Sequence, residues 1–166
     1  MVKKICIALV LTGMCVFAFA QAGPKAILSK GDVDSFIKNY EAIQETLEKH
    51  SEEFSSLELD FSNMEGKSIT DAVKKVRAFP VPAPLRGELA KFGLGNNAFE
   101  KCMVIIYSIS VVFMEEMFNS MGGAAGNAEI AAVIKNQVDP IKAAIHSNDM
   151  KLITSRKDEL LPLMGN

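Results

Sequence analysis

Cysteine is nearly missing from this chain, and its scarcity excludes more than any motif settles. Only three occur in 166 residues: Cys6, Cys15 and Cys102. The first two fall in an N-terminal stretch that reads as a leader. Cys102 then stands alone, and no intramolecular disulfide is expected even in an oxidising compartment. Stability has to come from helix packing instead. Histidine is just as sparse, with only His50 and His146. Neither is read as having a metal-ligand companion at i+3 or i+4, so zinc is not expected. His146 suits a helix C-terminus, where the dipole favours it. There is no Gly-rich phosphate loop after a strand, no GxSxG and no HExxH, so an enzyme would need a site built from dispersed residues. Positive charge is not in excess either. Taking Lys3 and Lys4 away with the leader leaves sixteen basic residues against twenty acidic ones, a formal −4. Scattered lysines on a mildly acidic chain give no electrostatic footprint for nucleic acid.

What the N-terminus does have is the three-part layout of a secretory signal peptide. Lys3 and Lys4 are followed by an uncharged, mostly apolar run from Ile5 to Ala20, and Ala18-Phe19-Ala20 is a small-x-small cleavage site before Gln21. Export to the periplasm, or outside the cell, is the expectation. Leu11-Thr12-Gly13-Met14-Cys15 offers a second reading, lipidation at Cys15. It ranks lower because Met14 occupies the place before the cysteine where a small residue is wanted. A retained anchor ranks third, since a stable span takes roughly 20 apolar residues. Lys157-Asp158-Glu159-Leu160 resembles a retention tag but is not C-terminal. Cleavage after Ala20 leaves residues 21–166, a normal size for a single domain.

Beyond the leader, helical signals dominate. Residues 21–28 read as a loose lead-in. Ser29-Lys30-Gly31-Asp32 has capping-box spacing, and Val33, Phe36, Ile37, Tyr40, Ile43 and Leu47 follow on one face of a helix ending near His50. Residues 51–66 are ambiguous between helix and coil. Their five acids (Glu52, Glu53, Glu58, Asp60, Glu65) lack calcium-loop spacing and read as a solvated face. Ser68-Ile69-Thr70-Asp71 opens a short helix through Ala78, which the prolines of Phe79–Pro84 convert to a stiff elbow. Pro84 is read as the first residue of a helix through Phe92, with Gly93 as a left-handed stop. Asn96 or Asn97 caps the next helix.

That helix, residues 97–121, carries thirteen uncharged residues from Cys102 to Met114, with apolar side chains in nearly every direction. Such a helix is normally buried on all sides. It is read as a hub that the others surround, and its apolar part, roughly 20 Å at about 1.5 Å per residue, falls short of a bilayer core. Gly122, Gly123 and Gly126 break the chain. Asn127 caps a helix with Ile130, Val133, Ile134, Val138, Ile141 and Ile145 in register, and Pro140 predicts a kink or two abutting helices. Ser147 and Asn148 mark a turn, and Asp149 to Met164 is helical, with Ser155-Arg156-Lys157-Asp158 spaced to restart it as a separate piece.

Leu28…Asp32-Val33…Phe36-Ile37…Tyr40, the Phe92-Gly93 break before a long apolar helix and the closing Asp149…Leu152…Glu159-Leu160 resemble the pattern of small exported helical bacterial proteins of unknown function. The resemblance implies an exported helical fold and no activity.

Few residues point to chemistry. Cys102 begins the most apolar helix, where an inert thiol is expected. Glu115 and Glu116, about 100° apart on a helix, cannot share a face as a catalytic pair. Met114, Met117 and Met121 recur with Phe113 and Phe118 beside them. Core packing is the first reading of that stripe, an apolar groove completed by Ile134, Val138 and Ile141 the second, and thioether ligation of Cu(I) the last.

The expectation is therefore an all-α, irregular bundle of five to seven helices around a central apolar helix, preceded by a signal peptide. It would act as a non-enzymatic binding or interaction module for a hydrophobic small molecule or partner protein, with no catalytic, cofactor-binding or metal-ligating residue. The alternative is a membrane-surface protein that inserts helix 97–121 into lipid. It ranks lower because an interfacial helix normally has a basic face, and this one has only Lys101. A hydrolase ranks third.

Overall fold

Ser29 starts the first helix by a reciprocal exchange. Its Oγ accepts from the Asp32 amide at 3.2 Å, while its own amide donates to the Asp32 carboxylate at 2.8 Å, a complete capping box. Helix α1 (Lys30–Lys38) follows, and then α2 (Tyr40–Lys49). The computed structural model describes residues 24–53, 75–76, 78–120 and 128–165. The signal peptide, the 54–66 ambiguity, the Ser68–Asp71 box, Met121, the glycines at 122–126 and the Asn127 cap lie outside the described residues.

The single helix expected over 30–50 is broken at Asn39, whose backbone leaves the helical region (φ −114°, ψ 19°). The Asn39 side chain donates to Ser35 O at 2.8 Å and to Phe92 O at 3.4 Å, so it competes for the carbonyl its own amide would use. That amide is shared between Ser35 O and Phe36 O.

Helix α3 (Ala83–Leu89) begins one residue before Pro84 and buries Leu85 and Leu89, four apart. It does not run to Phe92 as a regular helix but widens into a π turn (Ala90–Leu94) containing Gly93 at φ 80°. A Cβ on Gly93 would stand 3.0 Å from the Ser35 hydroxyl, so the glycine serves both a left-handed backbone and a close approach to α1. Gly87 in α3 has open space around it. Gly93→Ala is expected to destabilise by about 1–2 kcal/mol and Gly87→Ala to stabilise by about 0.5–1 kcal/mol. Chemical denaturation checks both, and equal shifts would contradict the assignment of Gly93.

Helix α4 (Ala98–Ser120) begins within a residue of the start read from the sequence. Helices α5 (Ala128–Ala144), α6 (Ser147–Ser155) and α7 (Lys157–Leu160) and a 3₁₀ turn (Leu161–Gly165) complete the chain. Pro140 lies within α5, which continues as one helix. His146 does not act as a dipole-compensating C-terminal charge. Its Nδ1 accepts from the Asn148 amide at 3.1 Å and caps α6, which requires a free lone pair. Ser155 does not cap α7 either, because its hydroxyl donates back to Leu152 O at 2.7 Å.

The protein is all-α, an irregular bundle with no strand among the described residues. Helix α4 is the hub: α1, α3, the π turn, α5, α6 and α7 all pack on it, and α2 packs on α1 and α3. From Ala98 to Val112 its buried residues include Phe99, Cys102, Ile105, Ile109 and Val111. The three charges flanking its apolar stretch are tied to three different helices. Lys101 bonds Asp32 of α1 at 2.6 Å, Glu115 bonds Lys142 of α5, and Glu116 bonds Lys157 of α7 at 2.5 Å. Burial alone would raise the Asp32 carboxyl, but bonds from Lys101 and Ser29 outweigh it and lower its pKa.

Val133, expected to face inward, is 53% exposed. Around α5 it stands about 100–140° from Ile134, Val138 and Ile145, the side of the helix that packs on the core.

Candidate functional site

One ridge of α4 changes character partway along. Ile105, Ile109, Phe113 and Met117 recur every four residues, a row that winds about 40° around the helix at each step. Their exposures are 0%, 1%, 51% and 42%. The chemistry of the ridge is apolar throughout, but its cover ends after Ile109. Met114 packs against the core from beside it, and Phe118 is half-buried. The Glu115–Lys142 and Glu116–Lys157 pairs tie the same turns of α4 to α5 and α7.

The structure therefore divides the eight residues expected to line a groove. Val138 and Ile141 belong to the core, with Ile134 and Met114 packed on it. Phe113 and Met117 face out, Phe118 is intermediate, and Met121 is outside the described residues.

Two surface cavities lie elsewhere. The larger, about 480 Å³, is floored by Phe79 and Phe99, whose ring centres are 5.5 Å apart, and rimmed by Arg86, Asn96, Asn97 and Glu100. The other, about 420 Å³, lies between the Asn39 break and Leu163. Neither includes a histidine, a cysteine or any of the eight groove residues.

Cys102 is fully buried, and desolvation pushes its thiol up to about 12. A thiol held protonated is neither nucleophile nor metal ligand. Glu115 and Glu116 point to different helices through their lysines, as their 100° separation requires.

His50 is the residue that sequence reasoning missed. It is 7% exposed, with Nδ1 2.9 Å from Glu53 and Nε2 3.5 Å from Glu88 of α3. The expectation that it has no ligand-type companion at i+3 is corrected: Glu53 stands at that spacing and bonds it. The hydrogen bond to Glu53 is the main cause of a raised His50 pKa, burial opposes it, and Glu88 adds to it. Glu88 is lowered, chiefly by its bond from Lys49 at 2.8 Å. The two carboxylates sit at opposite ring nitrogens and do not converge. Among the described residues no three His, Cys, Asp or Glu side chains are grouped to hold a metal ion.

No protein-family model matches the chain, and comparisons with curated proteins and with solved structures give no match either.

Proposed function

We propose that this chain is an exported, non-enzymatic binding module that offers the Phe113–Met117 face of α4 to a partner protein. The observation that carries the reading is the loss of cover along one apolar ridge, from 1% exposure at Ile109 to 51% at Phe113. Single exposed apolar residues are ordinary, but a phenylalanine and a methionine one turn apart form a contiguous patch. Aromatic and methionine side chains are favoured at the centres of protein interfaces. Export is supported by Lys3-Lys4, the apolar run to Ala20 and Ala18-Phe19-Ala20.

A second reading has its own observation. Helix α4 as a whole, at 23 residues, is long and apolar enough to cross a membrane, although its charge-free stretch alone is not. Half of that apolar window is packed inside the bundle, and its flanking charges are spent on other helices, so insertion would first have to dismantle the fold. A hydrolase ranks third, because neither cavity pairs a nucleophile with a base.

The test compares the native protein with Phe113→Ser/Met117→Ser. The double variant is expected to keep its melting temperature within a few degrees and to lose at least about tenfold in affinity for whatever protein co-purifies with the native form. An identical set of retained proteins at identical affinity contradicts the proposal. Liposome flotation separates the lipid reading, which requires co-migration. Intact mass of the exported protein reads out cleavage after Ala20 and any lipid on Cys15.

A further inference from the structure

His50 occupies a position that a neutral imidazole fills badly. It caps the C-terminal end of α2, nine-tenths buried, between a carboxylate on the following turn and one on α3. A neutral ring has one N–H. If Nδ1 donates it to Glu53, the Nε2 lone pair faces the Glu88 carboxylate at 3.5 Å, and Nε2 makes no hydrogen bond. Two electron-rich groups then oppose each other at a ring nitrogen that is shielded from water. With a proton on both nitrogens, each end of the ring meets an anion instead.

We propose that His50 is a proton-operated latch that, as the imidazolium, joins the end of α2 to Glu88 of α3 and lets go when it loses its second proton. The surroundings favour this sign of response. Lys49 holds the same Glu88 oxygen at 2.8 Å and keeps that carboxylate ionised. Glu52 and Glu53 are the charged residues of the adjoining turn. On α3, Arg86 is turned aside to Val81 O at 2.8 Å. On α1, the other helix against α2, Asp32 and Asp34 are spent on Lys101 and Arg156. Among the described residues, the charges paired at the ring are the carboxylates of Glu53 and Glu88, and Lys49 is itself paired to Glu88.

The direction follows from linkage. The folded-state pKa of His50 is raised, so its contribution is complete below the free-histidine value of about 6.5 and is lost as pH climbs through the folded-state midpoint. The contact loosened is that of the end of α2 on α3, whose Arg86 lines the larger cavity with neighbouring Val81. The inference does not depend on the Phe113–Met117 surface and can fail or stand without it.

An NMR titration of the His50 ring in the full chain, with amide exchange across α3, tests it. The midpoint is expected above about 6.5, and Glu88→Gln and Glu53→Gln should each lower it. Exchange at Leu85 and Leu89, corrected for its intrinsic pH dependence, is expected to be at least about threefold faster at pH 8 than at pH 5.5 in the native protein. That pH difference should be absent in His50→Gln. A midpoint at or below 6.5, or one that neither glutamine moves, overturns the latch. So does equal pH dependence of α3 exchange in native and variant proteins. Should His50→Gln fail to fold, Glu88→Gln carries the exchange comparison, since Glu88 is 30% exposed and its loss removes the same contact.

Discussion

Replacing Asp149 with alanine is expected to lower stability by about 2–4 kcal/mol and to free the segment that precedes α1. The Asp149 side chain belongs to a residue only 1% exposed, and its two oxygens accept from the amides of Ile27 and Leu28, each at 3.1 Å. Those amides precede the first helix and have no helical carbonyl to turn to, while Ile27 and Leu28 themselves pack on the core. Hydrogen bonds to an ionised acceptor are roughly twice as strong as neutral ones, and removing the acceptor leaves two part-buried donors unsatisfied. The charge is tolerable in this place because Asp149 stands in the first turn of α6, at the positive end of the helix dipole. The contact spans more than 120 positions, so it fastens the start of the bundle to its end. Urea denaturation should show the loss, with a melting temperature lower by roughly 5–12 °C and faster amide exchange at Ile27 and Leu28. Asp149→Asn should fall between, because its one carbonyl oxygen can keep one of the two bonds. An alanine variant as stable as the native chain would show that these bonds contribute nothing net.

Features that depend on a few neighbouring residues were readable in advance. Ser29 and Asp32 are three apart, and that spacing alone predicts the reciprocal cap that forms. Gly93 adopts the positive φ its position suggests, and α4 starts where expected because a long charge-free run marks it. Features that depend on residues far away in the chain were not readable. The break at Asn39 needs Phe92 O beside it, 53 positions on. The exposure of Val133 follows from which side of α5 the core covers. His146 and Ser155 each had two hydrogen-bonding options, and local geometry chose the unexpected one. The candidate surface shows the same division. Phe113, Met117, Val138 and Ile141 are all plainly apolar in the sequence, but which of them is covered depends on which helices stand beside α4, and periodicity carries no record of that.

The contrast along the α4 ridge sets up the sharpest energetic comparison. Ile105→Ala and Ile109→Ala are each expected to cost about 2–5 kcal/mol, because both side chains are essentially fully buried and the helices around α4 can close only part of the space left behind. Phe113→Ala, one turn after Ile109 on the same ridge, removes a larger side chain but should cost no more than about 1 kcal/mol. Half of the phenylalanine is already in water, so truncation forfeits less burial and opens no enclosed cavity. The order of the three costs therefore runs against the order of side-chain size, an inversion that only the pattern of cover explains. Denaturation midpoints of the three variants decide it at modest precision. Should Phe113→Ala cost as much as Ile109→Ala, the ridge is covered in solution along its whole length, and the surface proposed to receive a partner is not free. If the inversion holds while Phe113→Ala also weakens partner binding, the side chain spared by folding is the one used for recognition, which is the arrangement expected where a core ridge is extended past its own bundle to meet another protein.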